Sequence, residues 1–237
     1  MRTQEKLSII LTELKIHAPF TLFGSFTGIV LMLVFRNLQQ DTSHRLFYVF
    51  HPAHVVLSAM VTASVFELHT KKRKFITVLL VGFFGSLGIA TLSDSLIPYI
   101  GEVLLGMHIH VHAHEHTSFA EHAHIGFIES WQIVIPAAIL GVLIAYFRPK
   151  TKFPHAGHVL LSTWASSFHM LMAMGGQLSV WKAVGSFGFL FLAVWLPCCI
   201  SDIVFPLLFI KSPIGSSHVH DQKLSQNCHP ERSEGSD

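Results

Sequence analysis

Six stretches of mostly apolar residues dominate the sequence and constrain its fold more than any other feature. A helix needs about 20 such residues to cross the hydrocarbon core of a bilayer. Only 13% of the 237 residues are charged, too few to cover a soluble domain of this size. The sequence therefore predicts an all-α polytopic membrane protein with six transmembrane helices, at residues 18–35, 46–66, 75–105, 131–147, 155–176 and 184–210.

Lysine and arginine are divided unequally between the two sides that six spans create. Thirteen fall on the side of both termini and three on the other side. By the positive-inside rule, both termini are expected in the cytoplasm, with the protein in a bacterial-type inner (plasma) membrane. A net charge of +2 without a continuous basic face argues against nucleic acid as a partner. The expected partners are the lipid bilayer and a metal ion, and a homodimer is left open.

An internal repeat relates the second span to the fifth and the third span to the sixth. The segment HPAHVVLS at 51–58 aligns with HAGHVLLS at 155–162, and five of the eight positions are identical. The segment LSDSLIP at 92–98 aligns with ISDIVFP at 200–206 through its serine, aspartate and proline. Because a unit of three spans reverses direction when it is repeated, the sequence predicts a 3+3 inverted-topology repeat. Secondary transporters commonly have this architecture.

The first and fourth spans match more loosely, through a proline five residues before a glycine: Pro19 and Gly24, Pro136 and Gly141. The repeat divides the chain into an N-terminal amphipathic segment (1–17), repeat 1 (18–106), a histidine-rich extracytoplasmic loop (107–126), repeat 2 (127–210) and a disordered cytoplasmic tail (211–237).

The repeated residues have the chemistry of metal ligands. In each HxxH motif the imidazoles are three residues apart on one helix face, where both can reach one ion. Each repeated aspartate precedes a proline by four residues, and the missing proline N–H frees the aspartate carbonyl. Spans three and six are thus expected to be broken near Asp-x-x-x-Pro. Nitrogen and oxygen ligands of this kind suit a borderline divalent ion. The predicted ligands are His51, His54 and Asp94 toward the outside, and His155, His158 and Asp202 toward the cytoplasm.

Further polar residues continue each HxxH face at helical spacing. A polar seam of this kind must face protein or water rather than lipid. We interpret the seams as the lining of a transport path, formed by Ser58, Thr62, Ser162, Ser166 and His169.

Seven histidines within 17 residues make the loop between spans three and four an auxiliary metal-binding segment. Imidazoles without a fixed geometry bind transition metals weakly and interchangeably. The loop is expected to collect ions at the entrance, and a pH-responsive or merely solvated loop is the alternative. Its histidines are His108, His110, His112, His114, His116, His122 and His124.

Together these features predict a permease that moves a divalent transition metal cation (zinc, nickel or cobalt, zinc preferred) by alternating access, and not an enzyme. Imidazole and carboxylate lose protons when they bind metal, so proton counterflow is a natural driving force. Two alternatives stay open: an intramembrane metal-dependent enzyme with a His/Asp metal site, and a haem-binding or metal-sensing membrane protein. A single buried histidine or kinked helix has ordinary structural explanations, and the repetition in register is what favours a metal site.

Overall fold

The computed structural model describes residues 3–70, 74–107, 126–149, 152–174, 178–199 and Phe205. These ranges contain helices and no β-strand. The predicted loop histidines, His108 to His124, together with Asp202 and the predicted tail, lie outside the described residues. The helices are α1 (Thr3–Val34), α2 (Gln40–His69), α3 (Phe75–Thr91), α4 (Ile97–Leu104), α5 (Gly126–Glu129), α6 (Trp131–Phe147), α7 (Lys152–Met174) and α8 (Val180–Cys199).

Side chains are distributed as expected for a protein surrounded by lipid. Large apolar side chains such as Phe23, Phe26 and Phe84 are exposed on the outside of the helix bundle. Histidine, serine, aspartate and glutamate side chains are buried inside it. In water this arrangement would be unfavourable, but in a bilayer it places polar groups against protein and apolar groups against lipid.

Four helical segments among the described residues are long and apolar enough to cross a bilayer: His17–Val34, Gln40–Leu68, Phe75–Leu104 and Val180–Cys198. Helix α6 is apolar but shorter, with 17 residues. Helix α7 has 23 residues and carries histidines and serines that dilute its apolar character. The chain therefore has the helices of a membrane protein, and a count of six spans depends on α6 and α7. Helix α1 includes most of the predicted N-terminal segment, 1–17, together with the first span.

Helices α2 and α7 lie side by side at the centre of the bundle. Helices α3 and α6 pack on α2, and α1 and α8 pack on α7. The central pair is antiparallel, because its ring contacts run in opposite order along the two helices: Phe47 with His169, Phe50 with Trp164 and His54 with His158.

The third span is widened rather than broken near Asp94. A single π-helical turn, Leu92–Leu96, joins α3 to α4, and the Ile97 N–H donates to the Leu92 carbonyl oxygen five residues earlier. Pro98 has no N–H for the Asp94 carbonyl, and the wider turn accommodates this loss without ending the helix. Such turns are frequent at functional sites. The expected break in the sixth span lies outside the described residues.

Two glycines allow neighbouring helices to approach closely. Gly24 of α1 faces Val159 and Thr163 of α7. Gly141 of α6 faces α2 so closely that an added Cβ would lie 2.3 Å from the Val56 carbonyl oxygen. Because that neighbour is backbone, it cannot move aside without a shift of the whole helix.

We predict that Gly141→Ala destabilises the protein, by about 1–3 kcal/mol, the usual cost of overpacking. The matched control is Gly88→Ala in α3, where an added Cβ meets nothing within 4 Å. Alanine is the better helix former by about 1 kcal/mol, so the control should be neutral or stabilising. The midpoints of thermal unfolding in detergent test this prediction, and equal midpoints for the two variants would show that α2 and α6 are not in close contact.

Candidate functional site

The carboxylate of Asp94 lies at the centre of a buried polar cluster. Its Oδ2 is 2.9 Å from Nδ1 of His51 and 2.7 Å from Nδ1 of His54. Its Oδ1 accepts hydrogen bonds of 2.7 Å from the hydroxyls of Ser93 and Ser162. All five side chains are at most 1% exposed. Helix α2, the π turn and α7 thus each contribute to one hydrogen-bonded unit, which we call the Asp94 cluster.

The hydrogen-bond pattern indicates how the protons of this cluster are arranged. Four groups that can donate surround the two oxygens of Asp94, an arrangement that suits an ionised carboxylate, which only accepts. We therefore assign the hydrogen to Nδ1 in both imidazoles. In a neutral imidazole the other nitrogen, Nε2, then carries a lone pair that can bind a proton or a metal ion.

Three polar atoms on the same face of α2 have no hydrogen-bond partner within the described part of the chain. They are Nε2 of His51, Nε2 of His54 and Oγ of Ser58. An unsatisfied buried polar group costs about 1–3 kcal/mol. A polar ligand that bonded to these three atoms would remove that cost.

Imidazoles of the second HxxH motif continue from this seam. The rings of His54 and His158 are nearly parallel, with centroids 5.8 Å apart. The His155 ring lies 4.9 Å from that of His158, and the His17 ring of α1 lies 4.3 Å from that of His155. The described histidines therefore form a row from the Asp94 cluster toward the end of the bundle where α1 carries His17.

The two HxxH motifs adjoin each other, whereas the sequence analysis expected two half-sites on opposite sides. The reason is the depth of the first motif. Helix α2 begins at Gln40, so His51 is not at its start but about 16 Å along it, at 1.5 Å per residue. The second motif is close to the start of α7. The antiparallel pairing of the two helices then brings His54 beside His158.

The predicted trio of His51, His54 and Asp94 does meet, but as a hydrogen-bonded group. Both Nδ1 atoms face the carboxylate, and no three His, Cys, Asp or Glu side chains in the described ranges are arranged to hold a metal ion. In metal sites a carboxylate commonly accepts the second N–H of a ligating histidine and so orients its ring. Asp94 contacts Nδ1 of both rings in this way, which leaves their Nε2 atoms away from the carboxylate.

The predicted path residues are buried at the interfaces around this cluster: Ser58, Thr62, Ser162, Ser166 and His169. The Ser166 hydroxyl lies 2.8 Å from the Ser162 carbonyl oxygen and 3.0 Å from that of Ser93. It thereby ties α7 to the turn that carries Asp94.

The predicted set of site residues omits three residues that the structure brings into contact with its members. Ser93 donates to Asp94. The serine recurs in both aligned segments, 92–98 and 200–206, and that recurrence was the sequence signal that could have identified it. Glu102 lies two helical turns after Asp94 and is 2.6 Å from Nδ1 of His169. His17 contacts His155 through a helix pairing, between α1 and α7, for which the sequence contains no pattern.

We predict that Ser162→Ala lowers the free energy of unfolding by about 1.5–3 kcal/mol, the range for a hydrogen bond to a charged group. Ser64→Ala is the matched control, because Ser64 is equally buried and its hydroxyl has no hydrogen-bond partner among the described residues. Denaturation of both variants in detergent measures the difference. Equal losses would show that Ser162 makes no special contact with Asp94.

Comparisons with known proteins find no matching family model, no similar curated protein and no similar solved structure. The functional argument therefore depends on the chemistry of this chain alone.

Proposed function

We propose that the protein is a membrane permease for a divalent transition metal ion, with zinc as the preferred substrate. The observation that carries this proposal is the Asp94 cluster. One buried carboxylate orients the imidazoles of His51 and His54 through their Nδ1 atoms. The Nε2 atoms of both rings remain as nitrogen donors without a hydrogen-bond partner in the described chain. Imidazole nitrogen is a preferred donor to zinc, nickel and cobalt.

The charge of the cluster favours a cation as the ligand. With two neutral imidazoles and two hydroxyls around it, an ionised Asp94 leaves one negative charge inside the bundle. An isolated charge at membrane depth is costly and is normally balanced by another charge. A metal ion held by the Nε2 atoms, or a proton on one imidazole, would supply that balance. The same cluster can thus hold metal and protons in alternation, which is the requirement for counterflow.

Helix packing supports an inverted repeat as the transport scaffold. Exchange of the two halves would replace α1 by α6 and α2 by α7. Gly24 of α1 contacts α7 at Val159 and Thr163, and Gly141 of α6 contacts α2 at Val56 and Ala59. The two HxxH motifs are 104 residues apart, so Val159 and Thr163 correspond to Val55 and Ala59. Gly141 therefore contacts one position equivalent to a Gly24 contact, Ala59, and one position next to an equivalent, Val56.

In this proposal the two halves rock against each other along the α2–α7 pairing. Rocking about a site between the halves opens it first to one side and then to the other. By the positive-inside rule, the positions of lysine and arginine predict that the end of the bundle with Glu102 faces the outside and that the end with His17 faces the cytoplasm. The histidine-rich loop would then concentrate ions at the outer entrance, and the row from His158 to His17 would lead inward.

An intramembrane metalloenzyme is the second candidate, and one observation favours it. The motifs of both halves meet at a single place, where His54 lies beside His158, instead of at two depths. A catalytic site retains its metal ion and keeps one ligand position open for water. A permease releases the ion on the opposite side, so release to the vesicle interior separates the two candidates.

We predict that proteoliposomes containing the protein accumulate zinc, reported by a zinc-sensitive dye enclosed in the vesicles. His54→Gln and His158→Gln should each abolish accumulation. Asp94→Asn should weaken the apparent affinity by about 10–100-fold, the usual effect of losing an orienting group. Ser64→Ala, a buried substitution outside the cluster, should transport as the unaltered protein does.

An enclosed dye is required because histidines of the loop can bind zinc outside the vesicle without transport. Accumulation that persists in both histidine variants would contradict the proposal. Zinc that binds to the purified protein but never reaches the enclosed dye would favour the metalloenzyme.

A further inference from the structure

A second buried ionisable pair lies at the Glu102 end of the bundle, apart from the Asp94 cluster. Nδ1 of His169 on α7 is 2.6 Å from Oε1 of Glu102 on α4. Both side chains are at most 3% exposed. A buried ion pair costs more in desolvation than an exposed pair and contributes little net stability. Ionisable residues at such positions in membrane proteins are commonly functional.

Phe47 separates this pair from the Asp94 cluster. Its ring stacks on His51, with centroids 5.2 Å apart, and meets the edge of the His169 ring at 5.5 Å. Phe47 itself is fully buried. An aromatic ring between two imidazoles has no group that could bind a metal ion or relay a proton. The Phe47 ring thus lies between the two ionisable units.

Partly exposed polar groups lie at the same end of the bundle as the pair. The partly exposed carboxylate of Glu129 accepts a hydrogen bond from Tyr48 and lies 3.9 Å from His44. Burial raises the pKa of Glu129, and a positive charge on His169 opposes this effect. His44 and Tyr48 of α2 are linked to the pair through Glu129 alone. Glu129 is thus a partly exposed carboxylate close enough to His169 to interact with it electrostatically.

We propose that His169 and Glu102 form the proton-exchange site that couples metal movement to proton counterflow, a role that depends on the proposed permease function. The neutral imidazole with ionised Glu102 carries a charge of −1. Addition of one proton converts it to an imidazolium–carboxylate pair with no net charge. One proton is thus bound on Nε2 or Nδ1 of His169 and later released, and no other bond changes. The loss of negative charge beside Phe47 is transmitted to the Asp94 cluster electrostatically.

The experiment measures protons and metal together in proteoliposomes that contain one dye for pH and one for zinc. Glu102→Gln should slow zinc-driven proton flux by about 100-fold or more, the order expected for loss of a proton-transfer group. Zinc binding to the purified variant should be unchanged, because Glu102 does not contact the Asp94 cluster groups. Asp41→Asn is the control, because it changes an exposed carboxylate in the first turn of α2. It should leave the proton flux and the zinc binding unaltered.

A second measurement does not require transport. Infrared difference spectra between acidic and alkaline samples of the purified protein should show bands from a protonation change of the pair. The signal should survive in His54→Gln and vanish in Glu102→Gln and His169→Gln. Absence of this signal in the unaltered protein, or unchanged proton flux in Glu102→Gln, would overturn the proposal. If the unaltered protein transports no zinc but shows the infrared signal, the permease function is contradicted and the proton-binding pair remains supported.

Discussion

The structure depends on one buried carboxylate with four hydrogen-bonding neighbours. Asp94 accepts from two imidazoles of α2, from the serine before it and from Ser162 of α7. Without these partners an ionised carboxylate inside a lipid-exposed bundle would be too costly to maintain. The same hydrogen bonds hold α2, the π turn and α7 together. Folding and the candidate chemistry therefore rest on the same group.

The orientation of the imidazoles determines what the cluster can bind. If Nδ1 of His51 and His54 carried the lone pair, two acceptor atoms would face the carboxylate oxygen of Asp94 and repel it. Because each Nδ1 instead donates to Asp94, the lone pairs point away from the carboxylate on Nε2. In the proposed function the carboxylate contributes its charge and the imidazoles contribute the ligand atoms, which differs from direct coordination by all three side chains.

Much of the candidate site was predictable from sequence because intramembrane histidine and aspartate are rare and costly. Their repetition in register identified His51, His54, Asp94 and His158, and helical spacing identified Ser162 and His169. The pattern could not give helix ends, so it missed that α2 begins well before His51 and brings the two motifs to one depth. It also could not predict the π turn at Asp94, which depends on how α3 and α4 pack. Contacts such as His169 with Glu102 join distant segments and left no periodic signal.

X-ray absorption of zinc bound to the purified protein tests the central claim most directly. The loop histidines are first replaced by glutamine so that they cannot contribute to the signal: His108, His110, His112, His114, His116, His122 and His124. We expect zinc to remain bound, with imidazole nitrogen at about 2.0–2.1 Å, and to lose these neighbours in a variant that also carries His51→Gln and His54→Gln. A protein that binds no zinc once the loop histidines are replaced would contradict the account.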